Sequence, residues 1–84
     1  MTRDEVIVKL KEILKFSLPN GQEIVEKAEE HSNLYTDLGL SSVGMLYSVI
    51  AIEEIFKISF DDVNFGDFQT VKDVIDFILK KSEN

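Results

Sequence analysis

Three stretches of this chain repeat their apolar residues every three or four positions, and no stretch alternates apolar with polar over the length of a strand. That periodicity turns one face of each stretch towards a core and confines the fold to packed helices. Val6, Ile7, Leu10, Ile13 and Leu14 form the first stripe, with Lys9, Lys11, Glu12 and Lys15 on the other side. Ahead of it, Thr2-Arg3-Asp4-Glu5 fits a capping box, in which the Thr hydroxyl and the Glu carboxylate each satisfy an orphan helix N–H. A helix is predicted over about residues 3–16. Met45, Val49, Ile52 and Phe56 form the second stripe, in a helix predicted over Val43–Lys57, with Ser41 and Ser42 as candidate N-caps. Val71, Val74, Ile75, Ile78 and Leu79 form the third. Thr70 caps it, Asp73 completes a weaker capping box, and Lys80-Lys81 sit at the negative end of the helix dipole.

The connections read less sharply. Leu18-Pro19-Asn20-Gly21 is a stop and turn signal. From Gln22 to Leu40 the sequence is acidic and lightly apolar. It is expected to be a long loop, with room for two helical turns in Gln22–Glu30 that would face Ile24, Val25 and Ala28 inwards. Ile58-Ser59-Phe60 reads as extended, and Asp61–Gly66 as a one-turn helix capped by Asp61. The fold expected is all-α: a small antiparallel four-helix bundle of three longer helices and one short one, a single domain over residues 1–84.

Composition then removes whole classes of function. Sixteen acidic residues against nine basic ones give a formal charge of −7, the wrong sign for nucleic acid and the right one for partners that present Lys and Arg. Without cysteine there is no disulfide, thiolate metal site or thiol nucleophile, and one histidine makes a zinc site or a Ser-His-acid triad improbable. No apolar run reaches membrane-spanning length, and the N-terminus is charged from Arg3 onwards, so a cytoplasmic protein is expected, and the starting Met and short polar tail Lys80-Lys81-Ser82-Glu83-Asn84 lean towards a free-standing one. An Asp62-based calcium loop fails at its glycine position, held by Asp67, and at its twelfth, held by Asp73. Gly39–Gly44 lacks the spacing of a nucleophile elbow. His31 reads as a surface residue beside Glu29 and Glu30, and Glu53-Glu54 point about 100° apart on their helix, so neither makes a site.

One feature of the middle helix remains unexplained by a core. Val43, Leu46, Tyr47 and Ile50 form a second apolar group roughly 100–200° away from its core stripe. Either the 22–40 loop covers them or a partner does.

At Asp37-Leu38-Gly39-Leu40-Ser41-Ser42-Val43 the sequence resembles the acyl carrier proteins, whose hallmark is Leu-Gly-x-Asp-Ser-Leu at the start of the second helix of a four-helix bundle. Glu53-Glu54-Ile55-Phe56-Lys57-Ile58 and Phe68-Gln69-Thr70-Val71-Lys72-Asp73 are similar to the family's later segments, so the likeness covers nearly the whole chain. The resemblance implies a carrier without catalysis of its own. Its Ser42 would accept 4′-phosphopantetheine from coenzyme A through a phosphopantetheinyl transferase. The arm's thiol would then hold acyl groups as thioesters for acyl-loading and acyl-processing enzymes of fatty-acid, polyketide or other specialised biosynthesis, the carrier acting as a monomer. From the residues alone, Ser42 reads better as a helix cap than as a modified residue.

By the same resemblance, partner recognition falls to Asp37, Leu40, Ser41, Val43, Leu46, Tyr47, Ile50, Glu53 and Glu54. Ser41 stands where the family usually has Asp, and Gly44 and Tyr47 stand where it often has acids, which shifts the expected contacts from charge towards apolar surface. Leu40 replaces the second glycine usual in peptide-synthetase carriers. A core including Phe16, Phe60, Phe65, Phe68 and Phe77 is expected to part for an acyl chain. The alternative reading is an unmodified docking or regulatory domain that binds a protein through the apolar face of the middle helix.

Overall fold

Each apolar stripe becomes a helix in the computed structural model, which describes residues 1–61 and 64–82. The helices are α1 (Arg3–Ser17), α2 (Gly21–Lys27), α3 (Ser42–Phe56) and α4 (Val71–Ser82), forming a small four-helix bundle. Among the described residues there is no strand, only an isolated bridge between Asn33 and Thr70.

The α1 capping box is formed as predicted: Thr2 Oγ1 accepts from the Glu5 amide, and the Glu5 carboxylate accepts from the Thr2 amide. Val6, Leu10, Ile13 and Leu14 are buried. At α4 the Asp73 amide donates to Thr70 Oγ1 at 3.2 Å, and Asp73 Oδ2 accepts from the amides of Thr70 and Gln69. These bonds hold the Asp73 carboxyl below its ordinary range, the Thr70 amide contributing most.

Two short elements differ from expectation. The acidic 22–40 stretch opens with α2, which starts after Asn20 turns left-handed (φ 54°) and docks by Val25, 2% exposed. Val25 is the one fully buried side chain of those two turns, and Ile24 and Ala28 pack against the core only partly buried, which is why their periodicity is faint. The one-turn helix expected at Asp61–Gly66 is replaced by a 3₁₀ turn at Phe65–Asp67, capped by Asn64, whose side-chain oxygen accepts from the Gly66 amide. Asp62 and Val63 of that expectation lie outside the described residues.

The rest of the 22–40 stretch is pinned to α4. Leu34 donates to the Gln69 carbonyl at 2.8 Å, Val71 to Ser32 and Lys72 to Glu30. The Arg3 guanidinium joins Glu30 of this loop to Asp76 of α4. The C-terminal end of α1 meets the first turns of α3, while Lys9 lies 5.8 Å over the Phe56 ring at the far end, so the two helices run antiparallel. A β-carbon on Gly44 would sit 2.9 Å from the Ser17 carbonyl oxygen, and only glycine permits that approach. Beside it the Ser48 hydroxyl, 2% exposed, lies 3.0 Å from the Ser17 hydroxyl and 2.9 Å from the Gly44 carbonyl oxygen.

Candidate functional site

The Leu38–Val43 segment turns from the loop into α3, and each of its residues takes a distinct position. Leu38 and Leu40 are buried and anchor it, and the Leu40 amide donates to the Leu34 carbonyl. Gly39 between them has φ +79°, the left-handed conformation that favours glycine, and it makes the reversal that brings both leucines inwards. Ser41 is the N-cap: its backbone is extended and its Oγ accepts from the Gly44 amide at 3.0 Å. Ser42 is the first helical residue. It is exposed, and no side-chain hydrogen bond holds its hydroxyl among the described residues.

The neighbouring serines therefore divide two tasks that the sequence left open. Ser41 satisfies the Gly44 amide and the Ser41 carbonyl takes the Met45 amide, leaving the amides of Ser42 and Val43 without intrahelical acceptors. No acid sits in the first turn of α3, so the positive end of its dipole is uncompensated. An exposed hydroxyl at such a terminus suits a phosphodiester. Next to it a cleft of about 260 Å³, lined by Tyr35, Ser42, Met45, Leu46 and Phe65, opens to the surface. A separate cleft of about 180 Å³, lined by Ile7, Leu10, Val71, Ile75 and the 28–30 segment, shares no residue with this one. The residues present thus fit an arm esterified at Ser42: a reachable oxygen, donors for its phosphate and apolar surface alongside.

The structure sorts the expected recognition residues. Val43, Leu46, Tyr47 and Ile50 are 52–65% exposed, so the 22–40 loop does not cover them. Leu40 is 4% exposed, which removes it from any contact surface and places it in the core. Asp37 is exposed, but its carboxylate accepts from the Asn33 amide at 2.7 Å and closes the turn inside which Asn33 Oδ1 accepts from the amides of Tyr35 and Thr36. Glu53 accepts from the Phe60 amide at 3.0 Å, tying the extended 58–60 segment to α3. Glu54 is exposed near the far end of the helix.

Phe16 and Phe65 were expected in the core and are not. Phe16 is 89% exposed and Phe65 39%, because α1 turns Phe16 outside its buried arc and the 3₁₀ turn holds Phe65 at a rim. Phe60, Phe68 and Phe77 do pack together, with ring centroids 4.6–5.6 Å apart. The Phe16 ring lines a groove between α1 and α3 with Ile13, Ser17, Tyr47 and Ala51. Its place one step outside the Ile13–Leu14 pair was the signal available in the sequence. His31 is exposed with Nε2 3.2 Å from Glu29, as its surroundings suggested. Among the described residues, no helix is long and apolar enough to cross a membrane.

Comparison with known proteins bears on this site. The family of the phosphopantetheine attachment site matches residues 4–78 of the chain. An acyl carrier protein of Coprothermobacter proteolyticus is 32% identical over 78 residues, 93% of this chain and 92% of the relative. One from Desulforapulum autotrophicum is 36% identical over 77 residues, covering 92% and 97%. One from Cyanidium caldarium is 30% identical over 84 residues, covering 100% and 94%.

Proposed function

The chain belongs to the acyl carrier protein family, and on that premise we propose that Ser42 is its attachment serine and that it ferries acyl groups between the enzymes of a dedicated biosynthetic route. The family is one of phosphopantetheine-bearing carriers and not of enzymes. When bound, 4′-phosphopantetheine supplies a thiol on a long flexible arm, which holds acyl groups as thioesters. The observation that carries the assignment to Ser42 is the division between adjacent serines, since Ser41 is committed to capping and Ser42 presents a bare hydroxyl.

In the loading step the Ser42 oxygen bonds to the phosphorus of coenzyme A that bears the pantetheine. The phosphoanhydride bond breaks, adenosine bisphosphate leaves, and the hydroxyl proton passes to the transferase. The amides of Ser42 and Val43, left without intrahelical acceptors, would be the donors that hold the phosphate of the attached arm. Gly39 and Leu40 hold the turn that presents the serine. The dedicated route is argued from the surface beside Ser42, where Ser41, Val43 and Gly44 leave no acid for a basic enzyme rim to read. We read the chain as a single domain that acts as a monomer in the cytoplasm.

Intact mass tests the assignment. Incubated with coenzyme A and a broad-specificity phosphopantetheinyl transferase, the protein should gain the mass of one arm. Ser42→Ala should gain none, and Ser41→Ala should still be loaded. A loaded Ser42→Ala protein overturns the assignment. A second reading, an unmodified docking domain, draws on the exposure of Val43, Leu46, Tyr47 and Ile50. It predicts a wild-type mass that never changes, together with protein binding that is lost in Tyr47→Glu.

A further inference from the structure

Whatever enzyme loads Ser42 must cover the surface around it. A protein interface of standard size takes about 800 Å² from each partner, a patch roughly 30 Å across. At 1.5 Å per residue Ile50 lies only about 12 Å along the helix from Ser42. Such a footprint takes in the exposed face of α3 and one of the grooves that border it.

The charge in that footprint is already committed. Asp37 and Glu53 accept backbone amides, Glu12 of α1, one turn before Phe16, pairs with Lys15 at 3.1 Å, the first turn of α3 holds no acid, and Glu54 stands 12 residues from Ser42, about 18 Å along the axis. What remains is apolar and continuous across two helices. On α3 it comprises Val43, Leu46, Tyr47 and Ile50. On α1 it adds Phe16, the most exposed large apolar side chain, at 89%. Ser17 packs its carbonyl against Gly44, which brings the end of α1 beside the first turn of α3, and Phe16 and Tyr47 flank a groove of about 320 Å³ floored by Ile13 and Ala51. Large apolar side chains exposed side by side mark a binding surface on a monomer.

Resting on the reading of Ser42 as the attachment serine, we propose that the phosphopantetheinyl transferase docks on this apolar α1–α3 face, inserting apolar side chains between Phe16 and Tyr47. Docking is then driven by apolar burial, and its affinity is nearly flat with salt, unlike an interface built on charge pairs. Phe16 and Tyr47 are the anchors because truncated aromatics carry the largest losses at interfaces.

The test measures steady-state loading of the wild type, Phe16→Ser, Tyr47→Ser and the double variant, using coenzyme A and a broad-specificity transferase at low and high salt. Binding of the same transferase to Ser42→Ala is measured alongside, where loading cannot occur. Each single variant should raise KM by roughly five- to tenfold with kcat retained, and weaken binding to the Ser42→Ala background by the same factor. Val8→Ser, at an exposed site towards α2, should change neither. Both anchors are exposed, so melting curves should match the wild type. An unchanged KM in Phe16→Ser, or a wild-type KM that rises tenfold with salt, overturns the proposal. Transferase binding to Ser42→Ala that ignores both anchors overturns it too, while leaving the attachment serine intact. A wild type that binds through the anchors yet is never loaded removes the Ser42 reading, and the transferase assignment with it.

Discussion

Two adjacent serines with the same side chain perform different work because they differ by one position in the helix. Ser41 lies outside the helical dihedrals and turns its Oγ back on the Gly44 amide, whereas Ser42 is within the helix and cannot reach that donor. Replacing Ser41 by Ala should therefore destabilise the protein by about 1 kcal/mol, read as a shift in urea midpoint. Ser42→Ala should fall within about 0.5 kcal/mol of the wild type. If Ser42→Ala costs more than Ser41→Ala, the roles are reversed. The sequence narrowed the cap to this pair, and the resemblance pointed to Ser42. Neither could say which hydroxyl was occupied, since that depends on the backbone angle at a single residue. Leu40 was misplaced for a related reason: a leucine between Gly39 and a helix start reads as surface until the left-handed glycine turns it inwards.

At the scale of elements, what was legible followed from repetition. The stripes of α1, α3 and α4 each bury several side chains at regular spacing and were readable with the capping boxes of α1 and α4 and the serine N-cap of α3. α2 and the 3₁₀ turn depend on one anchor or one side-chain cap apiece, Val25 and Asn64, and single residues leave no period to detect. The α4 cap carries a pH consequence. The Thr70 and Gln69 amides hold the Asp73 carboxyl below its ordinary range. A depressed folded-state pKa contributes stability that is fully present above the unfolded value, about 4, and is lost as pH falls through the folded one. Asp73→Asn should thus lower the melting temperature at neutral pH, and the gap to the wild type should close below about pH 4. A gap that stays constant down to acid would mean the carboxylate's charge contributes nothing.

For the whole molecule, the fold class and the family were within reach of the sequence because length, acidity and three stripes agreed with one another. The surface was not. Whether Val43, Leu46, Tyr47 and Ile50 were covered turned on the path of the 22–40 loop, which the backbone bonds from Leu34, Val71 and Lys72 draw towards α4 and away from that face. The net charge of −7 bears on stability as well as on partners. Like charges on so small a body repel, and screening relieves the repulsion. Added sodium chloride should raise the melting temperature at neutral pH, and magnesium chloride of equal ionic strength should do about the same, because among the described residues no three His, Asp or Glu side chains group to hold a cation. A magnesium effect well beyond the sodium one would reveal a bound ion and overturn this account.

The junction of Ser17, Gly44 and Ser48 ties the serine to the rest of the body. Backbone touches backbone there, and two hydroxyls clasp across the gap within two turns of Ser42. With Ser42 as the proposed attachment serine, the hinge post of a swinging tether would thereby be set in a rigid footing. Reach and direction of the cargo then come from the tether's own bonds, while its pivot keeps one fixed address that every visiting enzyme can find.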